Sequence, residues 1–207
     1  MNPPAHNATG SPASDARLTE LVEQASKGDR SAFDRLIDRF QGDIYRMIYY
    51  RVRARMEAED LTQDVFIRAY RSIFRLREPD RFRSWLFTIA VNRVNDYLRS
   101  KRVRSIFKSS DERADYYAEA SHGREQPEAL EQVLKEDFWR QIEQIVKTLS
   151  KMEREVFMLR FLDALSIYEI AQVLKKSEST VKTHLYRALT KFKKEKTLRE
   201  FLQEDSP

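Results

Sequence analysis

The 207-residue sequence predicts an all-α protein: two small helical domains joined by a flexible linker, the second carrying a helix-turn-helix. Three observations lead there. Apolar residues recur three and four apart through most of the chain, the spacing that gives a helix one buried side. Only 4 Gly and 6 Pro are present, the prolines gathered near the N-terminus or isolated, which leaves little material for strands and hairpins. The periodicity fades between Val103 and Pro127 and divides the chain in two.

The elements follow in order. Residues 1–16 are polar and Pro-bearing and are expected to form a disordered tail. In the first domain, residues 17–102, one helical stripe runs Phe33, Leu36, Ile37 and Phe40, and a second Ile44, Tyr45, Ile48 and Tyr49. A third takes in Leu61, Val65, Phe66, Ala69, Tyr70 and Ile73, and a fourth Phe82, Trp85, Leu86, Ile89, Ala90, Val94, Tyr97 and Leu98. Such stripes can close one core. Residues 103–129 are read as the linker, an acid-bearing run without periodicity. The second domain, residues 130–207, opens with Val133, Leu134, Phe138, Ile142, Ile145, Val146 and Leu149 and continues through Val156, Phe157 and Phe161.

The chain from Leu165 to Phe192 reads as two short helices around a tight turn. Ile167, Ile170, Ala171 and Leu174 stripe the first; Val181, Leu185, Ala188, Leu189 and Phe192 stripe the second. Ser166 with Glu169, and Ser177 with Thr180, stand at capping positions. Small Ala171 allows close approach of the helices. The second helix keeps Ser179, Thr180, Lys182, Thr183, Tyr186, Arg187, Thr190 and Lys191 on its outward side, donors and cations suited to base edges and phosphates. His184 sits beside that face and is expected to lie next to DNA or solvent. A solvated face on an ordinary helical hairpin is the plainer alternative.

Composition bounds the partners. A 41% hydrophobic content supports modest cores, and the absence of cysteine excludes disulfides and thiolate chemistry. No apolar run approaches the roughly 18 residues needed to span a bilayer, and the start lacks the basic and apolar regions of a signal peptide. A cytoplasmic bacterial protein without membrane insertion is expected. The net charge of +5 hides a segregation: Arg71 to Lys108 holds eleven Lys and Arg against three acids, and Lys175 to Arg199 nine against two, in an otherwise acidic chain. Two basic islands suggest two contacts with one polyanion. On the first domain, Glu57, Glu59, Asp60 and Asp64 form an acidic patch with no cation between them. It could be a solvated face, a surface for a basic protein, or a Mg²⁺ site.

The segments EAEDLTQDVFIRAYRSI at 57–73, FRSWLFTIAVNRVNDYLRSKR at 82–102, LSKMEREVFMLRFLDALSIYEIAQVL at 149–174 and STVKTHLYRALTKF at 179–192, in this order, resemble the bacterial RNA polymerase sigma factors. They are most similar to the extracytoplasmic-function (ECF) subgroup, which retains only the second and fourth sigma regions. The resemblance spans about residues 18 to 200. It implies a non-catalytic initiation factor that binds core RNA polymerase at the clamp helices of the largest subunit and at the flap, contacts promoter DNA and is commonly held by an anti-sigma factor. It implies no cofactor and no metal.

By that resemblance Asp60, Gln63 and Asp64 dock on the polymerase. Asn92, Arg93, Asp96 and Arg99, three or four apart, can share a face toward the minus-ten element, where an amide reads a base and guanidiniums hold phosphate. The preceding loop, roughly 77–83, would capture a flipped base, with Arg81 and Arg83 among the minus-ten contacts and Phe74 or Phe82 as nearby aromatics. Ser179, Thr180, Lys182, Thr183, Tyr186 and Arg187 match positions that face the minus-thirty-five element. The sequence departs from many relatives in placing Lys175 and Lys176 after Leu174, where a glycine often supplies positive φ.

Two other readings compete. The run STVKTHL also resembles a LuxR-like helix-turn-helix regulator, although a receiver domain would need an alternating α/β pattern in the N-terminal half. An all-α metal-dependent nucleotide hydrolase would use Glu57, Asp60 and Asp64 as ligands, but no phosphate-cradling loop accompanies them.

Overall fold

The computed structural model describes residues 12–107 and 146–194, and among them every regular element is helical. The described residues divide into two compact units, the first holding residues 12–107 and the second most of residues 146–194. The tail before Pro12, most of the expected linker, and Val133, Leu134, Phe138, Ile142 and Ile145 lie outside the described residues. No described helix is long and apolar enough to cross a membrane.

Four helices build the first unit: α1 (Pro12–Ser26), α2 (Arg30–Val52), α3 (Arg55–Ser72) and α4 (Phe82–Phe107), with two 3₁₀ turns, Ile73–Arg75 and Pro79–Arg81, between the last two. The first of these helices begins inside the expected tail. Its signal is Leu18, Leu21, Val22 and Ala25, at helical spacing, of which Val22 and Ala25 are buried. Gly28, at φ +96, turns the chain into α2, and Asp29 caps that helix by accepting from the Ala32 N–H at 3.1 Å. The two expected stripes from Phe33 to Tyr49 fall on this one helix, whose buried side is Phe33, Leu36, Phe40, Ile44, Met47 and Ile48. It ends where Arg53 turns left-handed at φ 56 and donates its N–H to the Tyr49 carbonyl.

Helix α2 packs on α1, α3 and α4, so its apolar side forms the centre of the unit. Leu61, Val65, Phe66 and Ala69 of α3 and Phe82, Leu86, Phe87, Ala90, Val91 and Val94 of α4 complete the core. Some expected core positions lie nearer the surface: Trp85 is half-buried, and Tyr70 and Leu98 are exposed. Tyr70 keeps its ring edge on Phe33 with centroids 5.1 Å apart, so the aromatic body packs while the rest is open to water. Helix α4 runs on to Phe107, past the expected linker start at Val103. The run KRVRSIF contains no Gly or Pro to stop it.

The second unit has helices α5 (Lys151–Phe161), α6 (Ile167–Leu174) and α7 (Glu178–Lys194). Leu149, Phe157, Ala188 and Phe192 form a buried cluster, with Val146 packed against it. The Phe157 and Phe192 rings stack with centroids 4.4 Å apart. Phe161 and Leu189, counted in the expected stripes, are exposed.

Both expected caps of the helix-turn-helix form. The Ser166 N–H donates to Glu169 Oε2 at 2.7 Å, and the Glu169 N–H donates to Ser166 Oγ at 3.2 Å, a reciprocal capping box. Ser177 Oγ accepts from the Thr180 N–H at 3.2 Å and so starts α7. Between them Lys175 adopts φ 52, and the Lys176 N–H reaches the Ala171 carbonyl at 2.9 Å. The turn therefore keeps the left-handed geometry a glycine would favour, at the modest cost a side chain incurs there.

Candidate functional site

On the second unit, the DNA-facing candidates lie on α7. At roughly 100° per residue, Ser179, Lys182, Thr183, Tyr186 and Thr190 fall in one stripe, and Val181, Ala188 and Phe192 on the buried side. Ser179, Lys182, Thr183, Tyr186 and Arg187 are exposed, Tyr186 to 72%. Thr180 is half-buried and spends its hydroxyl on Ser177. The hydroxyls of Thr183 and Thr190 donate back to the carbonyls of Ser179 and Tyr186, each at 2.9 Å. Lys182 stands 3.8 Å from Glu178, whereas Arg187 has no ion-pair partner among the described residues. The two groups readiest to meet a ligand are thus Tyr186 and Arg187.

Lys191 leaves this set. Its Nζ lies 2.6 Å from Oε2 of Glu153, a residue only 5% exposed, and so ties α7 to the first turn of α5. Sequence spacing could not show a partner 38 positions away. His184 is half-buried, and its Nδ1 is sealed from solvent with no hydrogen-bond partner among the described residues.

Glu153 holds three roles at once. It accepts from the Ser150 N–H at 2.9 Å, its own N–H donates to Ser150 Oγ at 3.4 Å, and it pairs with Lys191. The Lys191 hydrogen bond, helped by the Ser150 N–H, pulls its carboxyl below the ordinary value near 4.5, against the opposing effect of burial. A carboxyl lowered on folding contributes stability that is full above its unfolded value and is lost as pH falls through the folded one. Glu153→Gln is therefore expected to destabilise the second unit by about 1 kcal/mol at neutral pH. Thermal melts should show the gap from the parent closing below about pH 4.

On the first unit, the candidates divide among three places. Asn92, Asp96 and Arg99 are exposed and lie within about 60° of one another on α4. Arg93, one step on, is turned away toward α3, where its Nε donates to Asp64 Oδ2 at 2.5 Å. The four do not share a face as the three-and-four spacing suggested. Arg81 sits on the second 3₁₀ turn, 2.7 Å from Glu78, and Arg83 opens α4 with its guanidinium 5.5 Å over the Phe87 ring. Of the two aromatics near this loop, Phe82 is only 1% exposed and packs 5.4 Å from Phe40, centroid to centroid. Phe74 is 62% exposed, with the Arg75 guanidinium 5.3 Å over its ring. Of these two rings, Phe74 is the one open to solvent.

The acidic candidates lie on α3. Asp60 and Gln63 are exposed and Asp64 is half-buried; Glu59 is 3.2 Å from Arg55. Asp60, Leu61, Gln63, Asp64, Ile67 and Arg93 line a shallow depression of about 290 Å³. Among the described residues no three of His, Asp and Glu converge as a metal site, and the Asp64 carboxylate already answers a guanidinium.

Residues 36–104 match the family description Sigma-70 region 2, and residues 139–192 match Sigma-70, region 4. The chain is 37% identical over 202 residues to the ECF RNA polymerase sigma factor BldN of Streptomyces coelicolor, covering 97% of this chain and 72% of that one. Among solved structures it resembles CnrH in complex with the cytosolic domain of CnrY, with a TM-score of 0.60 and 25% identity over 91% of this chain and 99% of that one. The sigma factor RpoE of Bartonella quintana, in complex with the anti-sigma factor NepR, shares the fold at a TM-score of 0.58 and 20% identity, covering 84% and 98%.

Proposed function

The chain belongs to the ECF RNA polymerase sigma factors, which direct core polymerase to promoters, and we propose that it divides this work among the three surfaces just described. The α3 face with Asp60, Gln63 and Asp64 docks on the clamp helices of the largest polymerase subunit. Acid on this face suits a basic partner and hastens encounter. The α4 stripe of Asn92, Asp96 and Arg99, with Arg81 and Arg83 beside the preceding loop, engages the minus-ten element and stabilises its melted strand. Phe74 supplies the aromatic surface on which a displaced base stacks. Helix α7 enters the major groove at the minus-thirty-five element with Ser179, Thr180, Lys182, Thr183, Tyr186 and Arg187.

The single observation that carries this reading is the α7 stripe: polar and exposed along one side, apolar and buried along the other, on a helix started by a formed cap. The LuxR-like alternative shares that stripe but would need an α/β receiver, and the described residues hold no strand. We assign the chain no reaction of its own and place it in the cytoplasm, where polymerase and promoter DNA are met. By likeness to RpoE with NepR and CnrH with the cytosolic domain of CnrY, we propose that an anti-sigma protein holds it inactive. Initiation releases it for another round.

Titration of fluorescently labelled chain with core polymerase tests the docking step. Saturable binding that weakens steeply as salt rises is expected, because the docking face is charged and open to screening. Absence of saturable binding at micromolar core would refute it.

A further inference from the structure

We infer that Arg93 is a positioning residue of the polymerase-docking face, holding the Asp64 carboxylate in place, rather than a reader of promoter DNA. The inference rests on the docking role proposed for Asp60, Gln63 and Asp64. Its own ground is geometric. Asn92, Asp96 and Arg99 are exposed along one line of α4, but Arg93 is 24% exposed and crosses to α3. There its Nε donates to Asp64 Oδ2 at 2.5 Å, while Arg68 Nε approaches the same oxygen only to 3.8 Å. Asp64 Oδ1 accepts no hydrogen bond from the described residues, and the side chain is 35% exposed. Arg93 also lines the shallow depression otherwise bounded by Asp60, Leu61, Gln63, Asp64 and Ile67.

The physical effect is preorganisation. A carboxylate fixed through one oxygen and still partly exposed meets a basic surface without losing further rotamer freedom on binding. Ordering such a side chain in advance is worth about three- to tenfold in affinity. The four acids Glu57, Glu59, Asp60 and Asp64 still outnumber Arg55, Arg68 and Arg93, so the face keeps a negative balance. Because α4 also carries the minus-ten stripe, this pair joins the polymerase-facing and DNA-facing helices of the unit.

The test is a double-mutant cycle on the full chain, read as affinity for core polymerase at fixed salt. Arg93→Gln is expected to weaken binding about three- to tenfold, and Arg93→Lys to recover part of the loss because a cation still reaches Asp64. The double variant Arg93→Gln with Asp64→Asn should bind no more weakly than Asp64→Asn alone. Thermal melts of each variant separate this coupling from a loss of folding: variants that stay folded at the assay temperature show that the affinity loss is not unfolding. Unchanged or tighter binding by Arg93→Gln, or additive losses in the double variant, would overturn the inference. So would a defect in minus-ten DNA binding at saturating core with core affinity intact. Asp60→Lys in the same assay distinguishes the failures. If it weakens binding and Arg93→Gln does not, only the role of Arg93 falls; if neither does, the docking face itself is wrong.

Discussion

Asp60→Lys is expected to lower affinity for core polymerase by about ten- to a hundredfold, or roughly 1.4–2.8 kcal/mol, without disturbing the fold. Asp60 is exposed on α3 and has no ion-pair partner among the described residues, so its replacement removes no internal contact. Surface substitutions of that kind change stability by about 0.5 kcal/mol at most. Against a basic docking surface, however, the variant both loses an attraction and gains a repulsion between like charges. The neutral variant Asp60→Asn should show a smaller loss. Raising the salt should narrow the difference between parent and lysine variant, because charges beyond about 8 Å are screened at physiological ionic strength. Binding titrations at two salt concentrations measure both effects. A lysine variant that binds as tightly as the parent at low salt would remove α3 from the docking face.

The second large effect is expected at α7, the helix we propose reads the minus-thirty-five element. Arg187→Ala should reduce occupancy of promoters that depend on the minus-thirty-five element by about ten- to a hundredfold, the range for losing one well-made base contact. Affinity for core polymerase through α3 should stay as it is. Arg187 is exposed and free of ion pairs among the described residues, and it stands beside Tyr186 on a helix anchored by the Lys191 to Glu153 contact. If its guanidinium reads a guanine, the variant loses discrimination at one promoter position. If it holds a phosphate instead, affinity falls evenly over all sequences and the salt slope drops by about one. Holoenzyme binding to promoter variants, followed over a salt series, separates the two. Undiminished occupancy of every variant would exclude Arg187 from the interface.

Much of this was legible in the sequence because the signals were local. The helix-turn-helix showed itself through spacing of three and four, and through Ser166 with Glu169 and Ser177 with Thr180, pairs that form as caps in the structure. The α3 acids were visible because no cation interrupts them along the chain. What escaped depended on partners distant in sequence. Arg93 lies between positions that do share a face, and only the packing of α4 on α3 shows that it serves Asp64, 29 residues earlier. Lys191 reads as an outward cation until Glu153 is brought beneath it. The choice between Phe74 and Phe82 turned on burial, which two aromatics flanking one loop do not reveal by spacing. Helix α1 was hidden for a different reason: it begins at Pro12, within a polar, Pro-bearing stretch that composition assigns to a tail, and its short apolar stripe starts only at Leu18.

Transcription from genomic DNA by core polymerase reconstituted with the purified chain tests its role in initiation most directly. Discrete transcripts that start at defined promoters, are absent with core alone and are lost with Asp60→Lys are expected. A chain that neither binds core nor directs transcription from any genomic promoter would contradict that role.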